Sequence, residues 1–302
     1  MRNLWFRRDT NTAVVVPARV REMGLGKLPS EAGLKRRTLL TAFGGTLAAL
    51  ATAGRFQASA ATEPEPAPAP KLPPDTILYP GRKAQLKAYL LRPKASAGKR
   101  PAVVIIHEIR GLNGHFRDLA RRLAQEGFIA MVPDLASPMN YAQEGSDEVR
   151  DYLQKQSVSD LTADYLAAID YLKSQPDCSG AIGVIGFFWG GPIAAELAAA
   201  PSKPVKAAVM YYSLPASLDL IPKFSAAVQF HYAEQDPHTL PQIEPIEKKL
   251  IGYSKVYEEY VYEGAKPNFA NESLPKWYNK AEAMLAWDRT VAFLKRQLGG
   301  NS

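Results

Sequence analysis

Two hydrophobic rhythms alternate along the chain from about Asp75 onward. Short apolar runs recur at "LKAYLLRP" (86–93), "PAVVIIHE" (101–108), "FIAMVPDL" (128–135), "AIGVIGF" (181–187), "KAAVMYYS" (206–213), "AAVQFHYAE" (226–234) and "YEEYVYEG" (257–264). A continuous β-branched run such as 101–108 predicts a strand buried on both faces. Between the runs the period changes. Phe116, Leu119, Ala120, Leu123 and Ala124 stand at helical spacing, with Gly127 as the stop. Leu161, Tyr165, Ala168, Ile169 and Leu172 mark a second amphipathic helix, and a last helix is expected from about Pro275 to Leu298. Strands alternating with helices predict an α/β domain over 75–302, with a mostly parallel central sheet of about eight strands and helices on both faces.

The segment before this domain has neither rhythm. Lys35-Arg36-Arg37 opens an uncharged run of apolar and small residues to about Gly54, which ends at Ala58-Ser59-Ala60. Paired arginines, a short apolar stretch and a small-x-small site resemble a twin-arginine export signal, with cleavage near Ala60. This predicts a protein of the bacterial periplasm or the exterior, over a reading in which the signal stays as an uncleaved anchor. The 34 residues before Lys35 are long for such a signal, so Met23 is a second candidate start beside Met1. "ATEPEPAPAPKLPP" (61–74) has six prolines and reads as an extended tether.

Charge follows the same division. The formal net charge is +7. Residues 1–60 hold 10 Lys/Arg and 3 Asp/Glu, which accounts for all of it, and the remainder holds 27 of each sign. The domain therefore offers no electrostatic case for nucleic acid. No segment of the mature chain is long and apolar enough for a membrane span. The single cysteine, Cys178, excludes an intrachain disulfide. It precedes an apolar strand in "SQPDCSG" and reads as a loop thiol, far from any site at the strand's other end.

Chemistry concentrates at "IGVIGFFWGGPIAAEL" (182–197). Gly186, Gly190 and Gly191 frame a strand-to-helix turn that fits G-x-Nuc-x-G everywhere except the apex, which is Phe188. In such an elbow the glycines admit a tight turn, and the strained apex pushes a nucleophile into the pocket. A phenyl ring has no lone pair with which to attack a carbonyl. The chain resembles the dienelactone hydrolase family of α/β-hydrolases in four ordered stretches: 107–135, "GVIGFFWGG" (183–191), "FHYAEQD" (230–236) and 262–294. The resemblance implies an ester- or lactone-like small-molecule ligand, and with no phosphate loop or dinucleotide fingerprint in the sequence no cofactor is expected. It implies that Glu108 matches a glutamate that interacts with the resting nucleophile. It places the oxyanion-hole N–H groups at Ile109 and Trp189, and the histidine-orienting carboxylate at Asp236. It also implies two losses: Phe188 stands at the cysteine position, and Pro267, in "GAKPNF", stands at the histidine position. Asn271 occupies a place where some members carry a substrate-binding arginine.

No other residue restores the missing parts. The histidines are His107, His115, His231 and His238, and none lies beyond 238 where the base belongs. His238 reads as an exposed loop residue. Ser213 ends a neighbouring strand with no adjacent base. His107-Glu108 begins an H-E-x-x-H pattern, but position 111 is glycine, so no metal site is expected. Three readings remain open: a hydrolase fold without hydrolytic machinery that retains a small-molecule pocket, an active hydrolase with an unrecognised nucleophile, and an altered copy of an ordinary Cys-His-Asp enzyme.

Overall fold

The computed structural model describes residues 76–94, 98–141, 143–200 and 205–299. The export signal, its Arg36-Arg37 pair, the cleavage site at Ala60 and the tether all lie outside the described residues.

In chain order the elements are β1 (Thr76–Pro80), β2 (Gln85–Leu91), β3 (Arg100–Ile106), α1 (Gly114–Gln125), β4 (Ile129–Asp134), α2 (Asp147–Gln154), α3 (Val158–Ser174), β5 (Cys178–Phe187), α4 (Gly191–Ala199), β6 (Ala207–Tyr211), β7 (Ala227–Ala233), α5 (Ile243–Gly252), β8 (Tyr257–Tyr262) and α6 (Lys280–Leu298). The eight strands form one sheet in the order β1-β2-β4-β3-β5-β6-β7-β8. β1 and β2 join antiparallel, and the six strands from β4 to β8 run parallel. The predicted fold is therefore the observed one. β1 is the strand that no hydrophobic run announces. It is an edge strand, "TILYP", in which only Tyr79 is buried, so its burial pattern is too weak to read.

Burial explains the elements. β3 and β4 lie in the middle of the sheet and bury nearly every residue, as their unbroken apolar runs require. Side chains such as Val104, Met131, Ile182 and Met210 pack on one face beneath α3, α4 and α5. Val103, Ile105, Ile185 and Val209 pack on the other beneath α1 and α6. Caps set the helix starts: the Asn113 side chain accepts from His115 N and Phe116 N, and that of Asn279 accepts from Glu282 N. The Asn279 cap starts α6 at Lys280, five residues later than the expected Pro275. Residues 275–278 make turns instead, in which Trp277 N and Tyr278 N donate to Leu274 O.

Two readings need correction. Cys178 is no loop thiol: it is the first residue of β5 and is buried, and that burial raises its pKa. It lies, as expected, at the end of β5 away from the elbow. The strand read as 206–213 stops at Tyr211. Tyr212 has φ +38°, which takes it out of the ladder, while its N–H still donates to His231 O at 2.6 Å.

The C-terminal ends of β3, β5, β6 and β7 gather the segments that carry the candidate chemistry, as is usual in parallel α/β sheets. Close backbone packing makes this gathering possible. A Cβ at Gly191 would lie 1.9 Å from Ser213 Oγ and 2.4 Å from Ser213 Cβ. Gly191→Ala is thus expected to lower unfolding free energy by about 2 kcal/mol or more, as overpacking of a rigid contact does. Urea unfolding of Gly191→Ala against Gly191→Ala/Ser213→Gly checks this, because removing the Ser213 side chain should recover most of the loss.

Candidate active site

The elbow is built as the glycine pattern requires. β5 ends at Phe187, Phe188–Gly190 make one 3-10 turn, and α4 begins at Gly191 with a proline in its first turn. A Cβ at Gly186 would stand 2.5 Å from Gly190 O, and one at Gly190 would stand 2.7 Å from Ile106 O. The second contact matters most for chemistry. It lets the turn bearing Trp189 lie against the backbone leaving β3, which carries Glu108 and Ile109. The Trp189 ring stacks on that of His107, with centroids 6.4 Å apart and planes 6° from parallel. The two expected oxyanion-hole residues thus come from adjoining stretches of backbone.

Phe188 sits at the apex with φ +44° and is 51% exposed. A left-handed backbone costs a residue with a Cβ about 1–2 kcal/mol. Ser213 steadies the turn by donating its Oγ–H to Phe188 O at 2.5 Å. The strain belongs to the backbone and is independent of the ring. Phe188→Asn should therefore be more stable than Phe188→Ala by about 1 kcal/mol, since both lose the half-buried ring and only Asn tolerates this conformation. Equilibrium denaturation reads this shift directly.

Glu108 lies in the loop after β3. Burial pushes its carboxyl up to about 7, and its Oε1 has no hydrogen-bond partner. The nearby Tyr212 phenol is buried and likewise unpartnered. Its pKa is raised first by burial and then by the Glu108 charge. Tyr212 packs between Phe187, at 6.2 Å, and Phe269, at 5.7 Å. The sequence reading missed this residue. Its one signal was the second tyrosine of "YYS" at a strand end, and a tyrosine there reads as core.

Asp236 is buried in the turn after β7, and its carboxylate is occupied locally. Oδ1 accepts from His238 N at 2.9 Å and Thr239 N at 3.3 Å, and Oδ2 accepts from Thr239 Oγ1 at 2.8 Å. The segment carrying Pro267 comes alongside: Gln235 N donates to Ala265 O at 2.9 Å. Pro267 is half-buried in a turn, followed by Asn268 at φ +69°. Asn271 is buried, and its side-chain oxygen accepts from Ser273 N and Oγ, so it closes a local turn.

The four histidines lie elsewhere. His107 is buried, pairs its Nδ1 with Glu108 O at 2.9 Å, and has its pKa lowered by burial. His115, on α1, is pushed down to about 4 by burial. His231 is locked between Tyr262 Oη at 2.6 Å and Gln229 Oε1 at 2.9 Å. His238 is exposed. Among the described residues, no imidazole is hydrogen-bonded to Asp236, and no group of His, Cys, Asp and Glu could hold a metal ion. No helix of the described residues is long and apolar enough to cross a membrane.

A cavity of about 30 Å³ lies between α1 and α6, beside His115 and Phe187. Another, of about 200 Å³, lies at the end of β4. Neither is lined by Phe188, Trp189 or Pro267.

The comparisons with known proteins agree with this fold. The sequence model of the dienelactone hydrolase family matches residues 86–298. A Bradyrhizobium protein named "Probable 2-oxo-3-(5-oxofuran-2-ylidene)propanoate lactonase" is 29% identical over 227 residues, covering 70% of this chain and 90% of that one. A Salmonella typhi protein named "Putative carboxymethylenebutenolidase" is 31% identical over 241 residues, covering 73% and 86%. Among solved structures, one titled "Putative Dienelactone Hydrolase", from Klebsiella pneumoniae subsp. pneumoniae MGH 78578, superposes with a TM-score of 0.64. It shares 26% identity and covers 73% of this chain and 97% of that one.

Proposed function

The chain belongs to the dienelactone hydrolase family, and from that premise we propose that it is a member without acyl-transfer chemistry, which binds a small ester- or lactone-like carbonyl compound at the former catalytic centre. One observation carries the reading. The apex backbone holds the conformation that presents a nucleophile, and it presents a phenyl ring. The base position is a proline, which has neither a side-chain proton nor a backbone N–H. The adjoining backbone at Ile109 and Trp189 supports carbonyl binding. Glu108, half protonated near neutrality, can donate or accept a hydrogen bond there.

The names of the relatives, a lactonase and a carboxymethylenebutenolidase, support lactones as the ligand class. The test is turnover of p-nitrophenyl acetate by the purified chain, with Glu108→Gln/Ser213→Ala as the control. The expected result is equal, background rates in both, with no burst of p-nitrophenol. A rate that exceeds the control and leaves a trappable acyl adduct sinks the proposal.

A second reading draws support from the intact elbow: an ordinary Cys-His-Asp hydrolase altered at 188 and 267 would keep the same strained turn and glycines. The motif at Arg36-Arg37 supports export, with cleavage near Ala60. Cell fractionation of the full chain against Arg36→Lys/Arg37→Lys tests this, and a periplasmic pool that survives the change defeats it.

A further inference from the structure

We propose that the cavity at the C-terminal end of β4 is a second small-molecule site, separate from the elbow, which takes a neutral polyhydroxylated ring of about monosaccharide size. Its walls come from β2, α1, the end of β4 and the loop that follows. Its volume of about 200 Å³ falls below the roughly 300–1,000 Å³ of drug-sized pockets, which restricts the occupant to about one ring.

The charge arrangement selects against an ionic ligand. Lys87 and Arg117 balance Asp134 and Glu144 in the lining. Arg117 is spent on Glu144, to which both terminal nitrogens donate, and its guanidinium also lies 5.7 Å from the Tyr89 ring centroid. Asp134 is buried and held by neutral donors: Ala136 N donates to Oδ1 at 3.2 Å and Tyr141 Oη to Oδ2 at 2.7 Å.

What remains is hydrogen-bonding capacity of mixed sense. A carboxylate accepts at about four sites, so each Asp134 oxygen has one left. The Asn140 amide and the Lys87 ammonium have no partner among the described residues. Ser137 Oγ accepts from Lys87 N at 2.9 Å, and its own proton is free to be donated. Donors and acceptors both line a cavity whose remaining wall includes Tyr89 and Tyr141. A ring that bears several hydroxyls, each both donor and acceptor, satisfies such a lining, with its C–H faces against the aromatic surface. A lone carboxylate or amine would leave half of the lining unpaired.

The loop is tied in place independently of any ligand. Arg110 bonds Gly145 O at 2.7 Å and pairs with Asp147 at 2.9 Å. The site is therefore formed before binding, which keeps the ordering cost low.

The test is saturation-transfer NMR on the full chain with D-glucose, D-galactose and myo-inositol, with acetate and ethylamine as charged probes. At least one ring polyol should bind with a Kd of about 1 mM, and neither charged probe should. Asn140→Ala should weaken binding roughly tenfold, the cost of about one good hydrogen bond. Lys87→Met, an exposed position, should also weaken it while leaving the thermal unfolding midpoint unchanged. Asp134→Asn should weaken binding too, with its folding checked by circular dichroism. No transfer to any ring polyol, transfer that survives both Asn140→Ala and Lys87→Met, or binding of a charged probe in preference each overturns the proposal. Phe188→Cys/Pro267→His should leave this binding unchanged, which separates the site from the elbow.

Discussion

Phe188→Cys combined with Pro267→His should produce esterase activity at least about a thousand-fold above that of the parent chain, because hydrolytic triads act as units whose removal costs on the order of a million-fold. Three features of the structure favour recovery. The apex backbone already has φ +44°, the conformation that projects a nucleophile. The segments bearing Asp236 and Pro267 are joined by the bond from Gln235 N to Ala265 O. Asp236 accepts three hydrogen bonds from its own loop, which leaves about one carboxylate lone pair for an imidazole N–H.

The single variants should behave differently. Phe188→Cys alone should react with iodoacetamide yet show no sustained turnover, because the thiol has no base to activate it or to protonate the leaving group. Pro267→His alone should stay at the parent's rate. Hydrolysis of p-nitrophenyl acetate, with acyl-enzyme detection by mass spectrometry, separates these outcomes. A correctly folded double variant that remains inert would mean that Ile109 and Trp189 no longer frame a usable oxyanion hole.

Glu259→Gln should stabilise the protein strongly at alkaline pH and barely at acid pH. Glu259 lies on β8 and is buried, and both of its carboxyl oxygens lack a partner. Burial, and then the Glu247 charge, push its pKa to about 8 from an ordinary 4.5. The nearby phenols of Tyr232 and Tyr257 feel the Glu259 charge in return, behind desolvation as the leading cause of their own upward shifts.

The folded state therefore holds a proton that the unfolded chain releases. Below about pH 4.5 both states are protonated, and the carboxyl imposes no pH-dependent cost. Between about 4.5 and 8 stability falls by about 1.4 kcal/mol per unit, and above that range it levels off. The whole loss is on the order of 3–5 kcal/mol. Removing it should raise the melting temperature by roughly 5–15 °C at pH 8 for a domain of this size. Glu108, pushed to about 7 by burial, adds a loss of the same sign. The informative quantity is therefore the difference between parent and Glu259→Gln at each pH. Parallel melting curves across pH 5–8 would show that Glu259 is solvated or paired after all.

The sequence alone determined the layered fold, because unbroken apolar runs and helical periods are local signals with one stable assembly, a parallel sheet covered on both faces. It also set the residue types at 188 and 267, and neither a phenyl ring nor a proline carries a nucleophilic lone pair or a titratable proton wherever it is placed. Tertiary structure decided the rest. The left-handed apex at Phe188 and the close approach of Gly190 to Ile106 O depend on packing between distant segments. So do the unpartnered pair of Glu108 and Tyr212 and the burial of Glu259. The cavity beside Asp134 draws its walls from β2, α1, β4 and a loop. No local pattern encodes it, since its hydrogen-bonding groups converge only once the strands and α1 have packed together.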